Sequence, residues 1–273
     1  MARIGLENII MSFGTNSKRS TVLEDINLHV NDGDFVSLIG PSGCGKSTLL
    51  DLVAGLKKPT FGRILIDGQE ILGPGPDRGV VFQDYSLFPW MSALENICFA
   101  IEHSREKLSK SEALARANQY LEIVGLSKFI HKHPGTLSGG MRQRLAIARM
   151  FSMNPGVFLM DEPFGALDSL NRVFMQDLLT HLWLRDRDRK TVLFVTHDVD
   201  EAILLSDKIV VMTPSPGRIK EVIDVPFPRP RKRNHLFSSQ DYLILRTRLL
   251  ARFSEEMQDD IDKQEKGLIT WSI

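Results

Sequence analysis

The chain has few cysteines, no long apolar segment and no excess of either charge. Only two of its 273 residues are cysteine; because Cys44 lies in a glycine-rich loop that a disulfide would lock, we expect Cys44 and Cys98 to be free thiols. No stretch approaches the roughly 18 consecutive apolar residues of a membrane span. Glu7 and Asn8 interrupt the apolar start, which argues against a signal peptide. We therefore expect a cytoplasmic protein that meets a membrane only through another protein.

The charge balance excludes some classes of partner. Lys and Arg together number 34, as do Asp and Glu, which argues against a nucleic-acid coat and against an acidic tail. A content of 42% hydrophobic and 25% charged residues is typical of a soluble globular protein. Any polyanion that binds here must be small and held locally.

Short, nearly continuous apolar runs predict the fold class. Such runs are typical of parallel strands buried on both faces, and helical segments alternate with several of them, which predicts an α/β fold with a doubly wound sheet. The runs are residues 34–40, 79–83, 157–162, 191–198 and 208–213. Ahead of them, residues 3–13 alternate apolar and polar, and the pair Asp67-Gly68 predicts a hairpin. We expect a small antiparallel sheet at the front.

Helix-forming sequence replaces the strands between Gln83 and Asn154, which predicts a helical subdomain inserted into the sheet domain. From Pro226 a proline-broken basic stretch follows, and we expect Arg229 to Arg233 to be a solvated linker or to lie near lipid head groups. Beyond it, Tyr242, Leu245, Leu249 and Phe253 share one helix face. The predicted boundaries are 1–90 with 155–225 for the core, 91–154 for the helical subdomain, and 226–273 for the linker and a short helix.

A complete phosphate-binding loop follows the first predicted parallel strand. "GPSGCGKST" lies between a strand and a helix, the context that supports such a motif. Its glycines allow backbone N–H groups to surround phosphate oxygens, and the helix dipole adds positive charge. We expect Lys46 to reach the β- and γ-phosphates and Ser47 to bind Mg²⁺. The predicted nucleotide-binding residues are Gly40, Pro41, Ser42, Gly43, Cys44, Gly45, Lys46, Ser47 and Thr48.

Polar side chains are predicted to end three other strands. Asp161 and Glu162 follow a buried strand, where adjacent carboxylates are costly unless a cation or hydrogen bond uses them; helix capping is the alternative. Asp161 suits the Mg²⁺ site and Glu162 the activation of water. Gln83 and His197 end the other strands, and either alone is more often structural. Their convergence around one phosphate loop favours a functional role, and the family resemblance described below implies Glu162, His197 and Gln83 as catalytic and adds Gln83 to Ser47 and Asp161 at the metal site. No N-K-x-D motif follows, which argues against a GTPase.

A second anion-binding feature lies in "LSGGMRQRLAIARM", residues 137–150. Ser138, Gly139 and Gly140 directly precede an amphipathic helix, an arrangement that binds anions at its N-terminus. The sequence shows no second nucleotide fold that would need it.

These motifs, in this order from about Ile4 to Ile223, resemble the ATP-binding subunits of ABC transporters, with a phosphate-loop NTPase core. The resemblance implies that Phe13 stacks on adenine, that Gln83 senses the γ-phosphate and touches a membrane subunit, and that His197 holds the γ-phosphate and the water. Glu162 is implied as the catalytic base. Met141 stands where the usual signature LSGGQ has glutamine, so we expect the backbone contact to the partner's phosphate to persist and the side-chain contact to its nucleotide to differ.

The resemblance also implies the partners. Two ATPase subunits, expected to be identical, pair head to tail, and each ATP lies between one phosphate loop and the partner's Ser138, Gly139, Gly140 and Asp168. Integral-membrane permease subunits hold the pair at the cytoplasmic face of the inner or plasma membrane. An extracytoplasmic solute-binding protein acts indirectly, and no nucleic acid is bound.

The chain has one ATP-binding domain, as separate importer subunits do. Residues 73–90 and the C-terminal tail are similar to those of nitrate, sulfonate, taurine and bicarbonate importers, which implies a small, anionic solute; importers of pyrimidine precursors of thiamine are related. Residues 87–91 are expected to form a groove for a permease helix, with ordinary core packing as the alternative.

Two other functions are alternatives to an importer ATPase. A soluble ABC protein acting on nucleic acid or ribosomes would usually have two ATPase domains or a long coiled coil, and the sequence shows neither. A metabolic phosphate-loop kinase would leave the segment from Ser138 onward unexplained.

Overall fold

The computed structural model of the protein describes residues 2–14, 19–185 and 189–252. Strands and helices alternate in the order that a doubly wound fold requires, with three consecutive helices in the middle of the chain. In chain order the elements are β1 Ile4–Phe13, β2 Ser20–Val30, β3 Phe35–Ile39, α1 Lys46–Ala54, β4 Phe61–Ile66, β5 Gln69–Glu70, β6 Arg78–Val81, α2 Ala93–Glu102, α3 Lys110–Ile123, α4 Gly139–Ser152, β7 Val157–Asp161, α5 Ser169–Arg185, β8 Thr191–Val195, α6 Val199–Leu205, β9 Lys208–Met212, β10 Ile219–Asp224 and α7 Arg233–Phe237, followed by α8 at 240–252.

The central sheet has the strand order β10-β9-β3-β8-β7-β6. Strands β9, β3, β8, β7 and β6 are parallel, and β10 is an antiparallel edge strand. Every apolar run from the sequence forms a strand, so the predicted doubly wound core is confirmed. The edge strand β10 was not predicted, because its alternating burial leaves no continuous apolar run.

Two predicted strands end earlier than expected. β6 ends at Val81 and β8 at Val195, so the prediction that Gln83 and His197 end their strands is wrong by two residues. The chain turns away because Tyr85 N–H bonds to Phe82 O, and because the Thr196 hydroxyl accepts from Asp198 N–H. Both side chains therefore lie on loops beyond the sheet edge.

Alternate side chains of the central sheet enter two different cores. Phe35, Phe158 and Phe194 pack with the helices α2 to α6, whereas Leu159 and Leu193 pack with α1 and the front sheet. Burying each such side chain stabilises the fold by about 1.5–3 kcal/mol. Burial on both faces explains why the strands are apolar without alternation.

The front sheet is antiparallel, with the order β2-β1-β4-β5. Asp67 and Gly68 connect β4 and β5 with φ of 52° and 78°, the left-handed values that a two-residue type I′ turn requires. The predicted antiparallel sheet and its hairpin are confirmed.

The three helices α2, α3 and α4 pack against one another and on the core that covers the central sheet. Capping boxes start α2 at Ser92 with Glu95 and α3 at Ser109 with Glu112. Because the helices share a core with the sheet, the subdomain boundaries at 91 and 154 stay a prediction.

The basic stretch after Pro226 is not a solvated linker. The side chains of Arg229 and Arg231 are only 8% and 3% exposed, so both readings of this stretch, solvated or near lipid, are wrong for these two residues. Arg231 donates to backbone carbonyls at the end of α6, which have no intrahelical donor. Arg229 lies over the Trp183 ring at 4.5 Å.

The helix predicted after this stretch is α8. Tyr242, Leu245 and Leu249 are buried in one core, as their spacing predicts; Phe253 lies outside the described residues. Cys44 and Cys98 are free thiols, as expected. Within 2–14, 19–185 and 189–252, no helix has the length and apolar character to cross a bilayer.

Candidate functional site

The phosphate loop connects β3 to α1. Gly45 precedes the helix with φ of 98°, and no side chain caps the helix start, so its first N–H groups stay open to an anion. The Lys46 ammonium is buried and donates to Gly40 O at 2.7 Å and to Pro41 O at 2.8 Å. The Lys46 side chain thus reaches across the phosphate loop to its first two residues.

Gly217 supports this loop from behind, and sequence reasoning missed it. It precedes β10, accepts from Glu24 N–H and donates to Val22 O. A side chain at this position would collide with Cys44 O. A glycine in the proline-rich sequence "TPSPG", residues 213–217, signals only a turn, and nothing local shows the loop against which it packs.

Ser47 and Asp161 meet at the carboxyl ends of β3 and β7. The Ser47 hydroxyl donates to Asp161 Oδ1 at 3.0 Å. Burial raises the pKa of Asp161, while the Ser47 hydrogen bond opposes the shift. No cluster of three His, Cys, Asp or Glu that could cage a metal exists among the described residues. One hydroxyl and one carboxylate, completed by phosphate oxygens, fit Mg²⁺ well.

Glu162 and His197 form a second pair. His197 Nδ1 lies 3.2 Å from Glu162 Oε2, whereas the neighbouring Asp161 contacts Ser47. Glu162 has a left-handed φ of 44°, a costly conformation that is held by its N–H bond to Val195 O. The structure therefore separates the two adjacent carboxylates, one toward Ser47 and one toward His197.

Gln83 and Phe13 are exposed and make fewer contacts than the other predicted site residues. Gln83 makes no hydrogen bond to Ser47 or Asp161 in the described part of the chain, so its predicted place at the metal site stays a prediction. The Phe13 ring is 40% exposed at the end of β1, with the Lys57 ammonium 5.4 Å from its centroid. A ring so exposed is available for stacking.

The starts of α4 and α5 lie side by side. Ser138 caps α4, its hydroxyl accepting from Met141 N–H at 3.3 Å. Gly140 faces Asn171, whose amide donates to Asp168 Oδ2 at 2.6 Å. The structure thus brings Ser138, Gly139, Gly140 and Asp168 to one surface. Asn171 was missed, because a single asparagine three residues into a helix carries no functional signal.

The N–H groups of Gly139 and Gly140 have no acceptor among the described residues. The side chain of Met141 is half-buried and packs against the central core. The hydrogen-bond donors left open at this helix start are therefore backbone groups.

Comparison with known proteins identifies the family. The ABC transporter family profile matches residues 23–165, a range that includes the phosphate loop, Ser138 to Gly140 and both carboxylates. The chain belongs to the ABC transporter ATP-binding family. It is therefore an ATP-binding, ATP-hydrolysing subunit, and the metabolic-kinase alternative is wrong.

Relatives of this ABC ATPase include importer subunits. The nitrate import ATP-binding protein of Synechococcus elongatus is 49% identical over 92% of this chain and 91% of its own. The bicarbonate transport ATP-binding protein CmpD of Synechocystis sp. is 44% identical over 90% of this chain and 86% of its own.

Solved structures confirm the predicted ABC ATPase fold. A dimeric bacterial ABC transporter cassette is similar with a TM-score of 0.73 and 34% identity, over 82% of this chain and all of that one. A dimeric post-hydrolysis state bound to ADP and phosphate is similar with a TM-score of 0.72 and 33% identity, over the same shares.

We expect Gly217→Ala to weaken ATP binding by about tenfold or more, because the methyl group would displace Cys44 and the phosphate loop. Equilibrium titration with a fluorescent ATP analogue measures the change. Gly73→Ala is the matched control, since a Cβ there meets nothing within 4 Å. Unchanged affinity in Gly217→Ala would show that this glycine does not support the loop.

Proposed function

We propose that this subunit drives an importer of a small inorganic anion, of the nitrate or bicarbonate type, and that two copies pair head to tail around two ATP molecules. The observation that carries the pairing is the helix start at Gly139 and Gly140. It presents free N–H donors on a surface shared with Asp168, while the same chain has a separate, complete phosphate loop.

Within one subunit, the phosphate loop and Lys46 hold the phosphates. Ser47 and Asp161, with Gln83, would hold Mg²⁺, which would neutralise charge on the phosphate oxygens. Glu162 accepts a proton from the attacking water, and His197, in contact with Glu162 Oε2, orients the water and the γ-phosphate. Phe13 offers its exposed face to adenine.

The partner subunit supplies the remaining donors. The N–H groups at Ser138, Gly139 and Gly140, with the dipole of the 14-residue helix α4 behind them, cap the γ-phosphate held in the other chain. Asn171 holds Asp168 beside them. Because ADP lacks the γ-phosphate, hydrolysis releases the pair.

A surface for the permease lies at residues 87–91. The Trp90 side chain is 70% exposed, which argues against ordinary core packing at this position. The rings of Phe88 and Trp90 are 5.7 Å apart, and Phe88 packs edge-on against Phe99 at 4.9 Å. An exposed Trp90 supported by the half-buried Phe88 favours partner contact at this position.

Hydrogen bonds connect this surface directly to helix α4, which begins at Gly139. Arg149 of α4 donates to Ser86 O and Tyr85 O, while buried Asn96 of α2 bonds to both backbone groups of Phe88. A permease helix that moves this segment therefore moves α4. That connection links transport to the ATP interface.

The relatives support the proposed solute and location. Two relatives of high identity over nearly the whole chain are named for nitrate import and bicarbonate transport, which supports a small anion. Such a system would include a permease and an extracytoplasmic binding protein, and it would place this subunit at the cytoplasmic face of the membrane.

We expect Glu162→Gln to lower ATP turnover by about 10²- to 10⁴-fold, because the general base is lost, while ATP binding persists. The variant should accumulate as a dimer in ATP and Mg²⁺ in size-exclusion chromatography. Glu122→Gln, an exposed carboxyl on α3, is the control and should keep normal turnover. A Glu162→Gln variant that remains monomeric and hydrolyses ATP at the normal rate would refute the assignment.

For the permease surface, Trp90→Glu should abolish co-purification with the co-expressed permease of the system and solute-stimulated ATPase activity, because a carboxylate cannot enter an apolar groove. The fold should be intact by circular dichroism. Leu72→Glu is the matched control, since Leu72 is 76% exposed on the front of the molecule. Unchanged association and stimulation in Trp90→Glu would place the interface elsewhere.

A further inference from the structure

Helix α6 begins two residues after His197, at Val199, and is only seven residues long. His197 itself is largely exposed, and among the described residues its side chain pairs with Glu162 alone. The position of the imidazole therefore depends on how the short segment 196–198 and the start of α6 are held. Both ends of this helix are held by the C-terminal segment 226–252, which we name the C-terminal clamp.

Two side chains of α8 hold the start of α6. The Tyr242 hydroxyl and Arg246 Nε both donate to Asp200 Oδ1, each at 2.6 Å. Burial and the hydrogen bond to Asp200 raise the pKa of Tyr242, so its hydroxyl stays protonated and keeps donating. These two bonds fix the first turn of α6 directly.

A buried chain of hydrogen bonds reaches the residue next to His197. Arg233 donates to Gln176 Oε1 at 2.8 Å, and Gln176 Nε2 donates to Glu201 Oε1 at 2.7 Å. The other Glu201 oxygen accepts from the Thr196 hydroxyl, which itself accepts from Asp198 N–H. Glu201 and Gln176 are 5% and 3% exposed, so water does not compete with these bonds.

The end of α6 is held by two arginines of the stretch that was predicted from the sequence to be a solvated linker or to lie near lipid head groups. Arg231 NH1 donates to Ile203 O at 2.8 Å and to Ser206 O at 2.6 Å. Arg229 donates to Leu205 O and, at 2.7 Å, to Asp207 Oδ1. A helix of two turns that is fixed at both ends has little freedom to tilt.

We propose that the C-terminal clamp positions His197 for hydrolysis, with Tyr242, Arg246 and Arg233 as positioning residues that act through Asp200, Glu201 and Thr196. The inference rests on the role proposed above for His197. Among the described residues the clamp makes no hydrogen bond or ion pair to the phosphate loop, so it governs the rate of the chemical step and not the affinity for ATP. The C-terminal segment is thereby a place where the ATPase can be regulated.

The test uses the full-length chain with two changes that keep the apolar packing, Tyr242→Phe and Arg246→Gln. We expect the double variant to lose about five- to fiftyfold in kcat, as misplacement of a catalytic group does, with KM for ATP and ATP affinity unchanged. Arg248→Gln is the matched control: it removes the same charge from the same helix, but Arg248 pairs with Glu221 of β10. It should keep the normal kcat.

Repeating the double change in a His197→Ala chain identifies the route. The clamp changes should cause no further loss there, because the residue they position is gone. The same fold loss with and without His197, or an equal loss of ATP affinity, would overturn the proposal. If His197→Ala alone keeps normal turnover, the role assigned to His197 and this proposal are both overturned, whereas a loss in His197→Ala with a normal kcat in the double variant overturns this proposal alone.

Discussion

The parallel pairing of β3 and β7 with the intervening strand β8 is the constraint on which the site depends. Burial on both faces fixes the register of these strands, since a one-residue slip would exchange the two cores. Their carboxyl ends consequently meet at one edge. Ser47 reaches Asp161 there and Glu162 reaches His197, although these residues are far apart in sequence.

Unpaired backbone groups at helix termini are the second feature on which the site depends. The starts of α1 and α4 leave N–H donors for anions, and the end of α6 leaves carbonyls that Arg231 satisfies within the chain. At α4 no described residue satisfies Gly139 and Gly140. These open donors at α4, in a chain that already has a phosphate loop at α1, support the proposal that one full site forms only with a partner.

The sequence predicts those features that depend on local pattern. Apolar runs predict the parallel strands, Asp67-Gly68 predicts its hairpin, and the spacing of Gly40, Gly45 and Lys46 predicts the phosphate loop. What it misses depends on contacts between distant residues: the collision that excludes a side chain at Gly217, and the burial of Arg229 and Arg231 beneath α6. A basic, proline-rich stretch is ordinarily solvated, and only the carbonyls of another element make burial favourable here.

The central claim is that each catalytic site combines two chains, and complementation tests it most directly. Lys46→Ala inactivates the phosphate loop, and Ser138→Arg blocks the helix start that serves the partner. Each variant alone should be inactive, while a mixed dimer contains one intact composite site, so ATPase activity should reappear on mixing and be greatest near equal proportions. If mixed dimers form but no ratio restores hydrolysis, the two elements do not serve one shared site, and the account is contradicted.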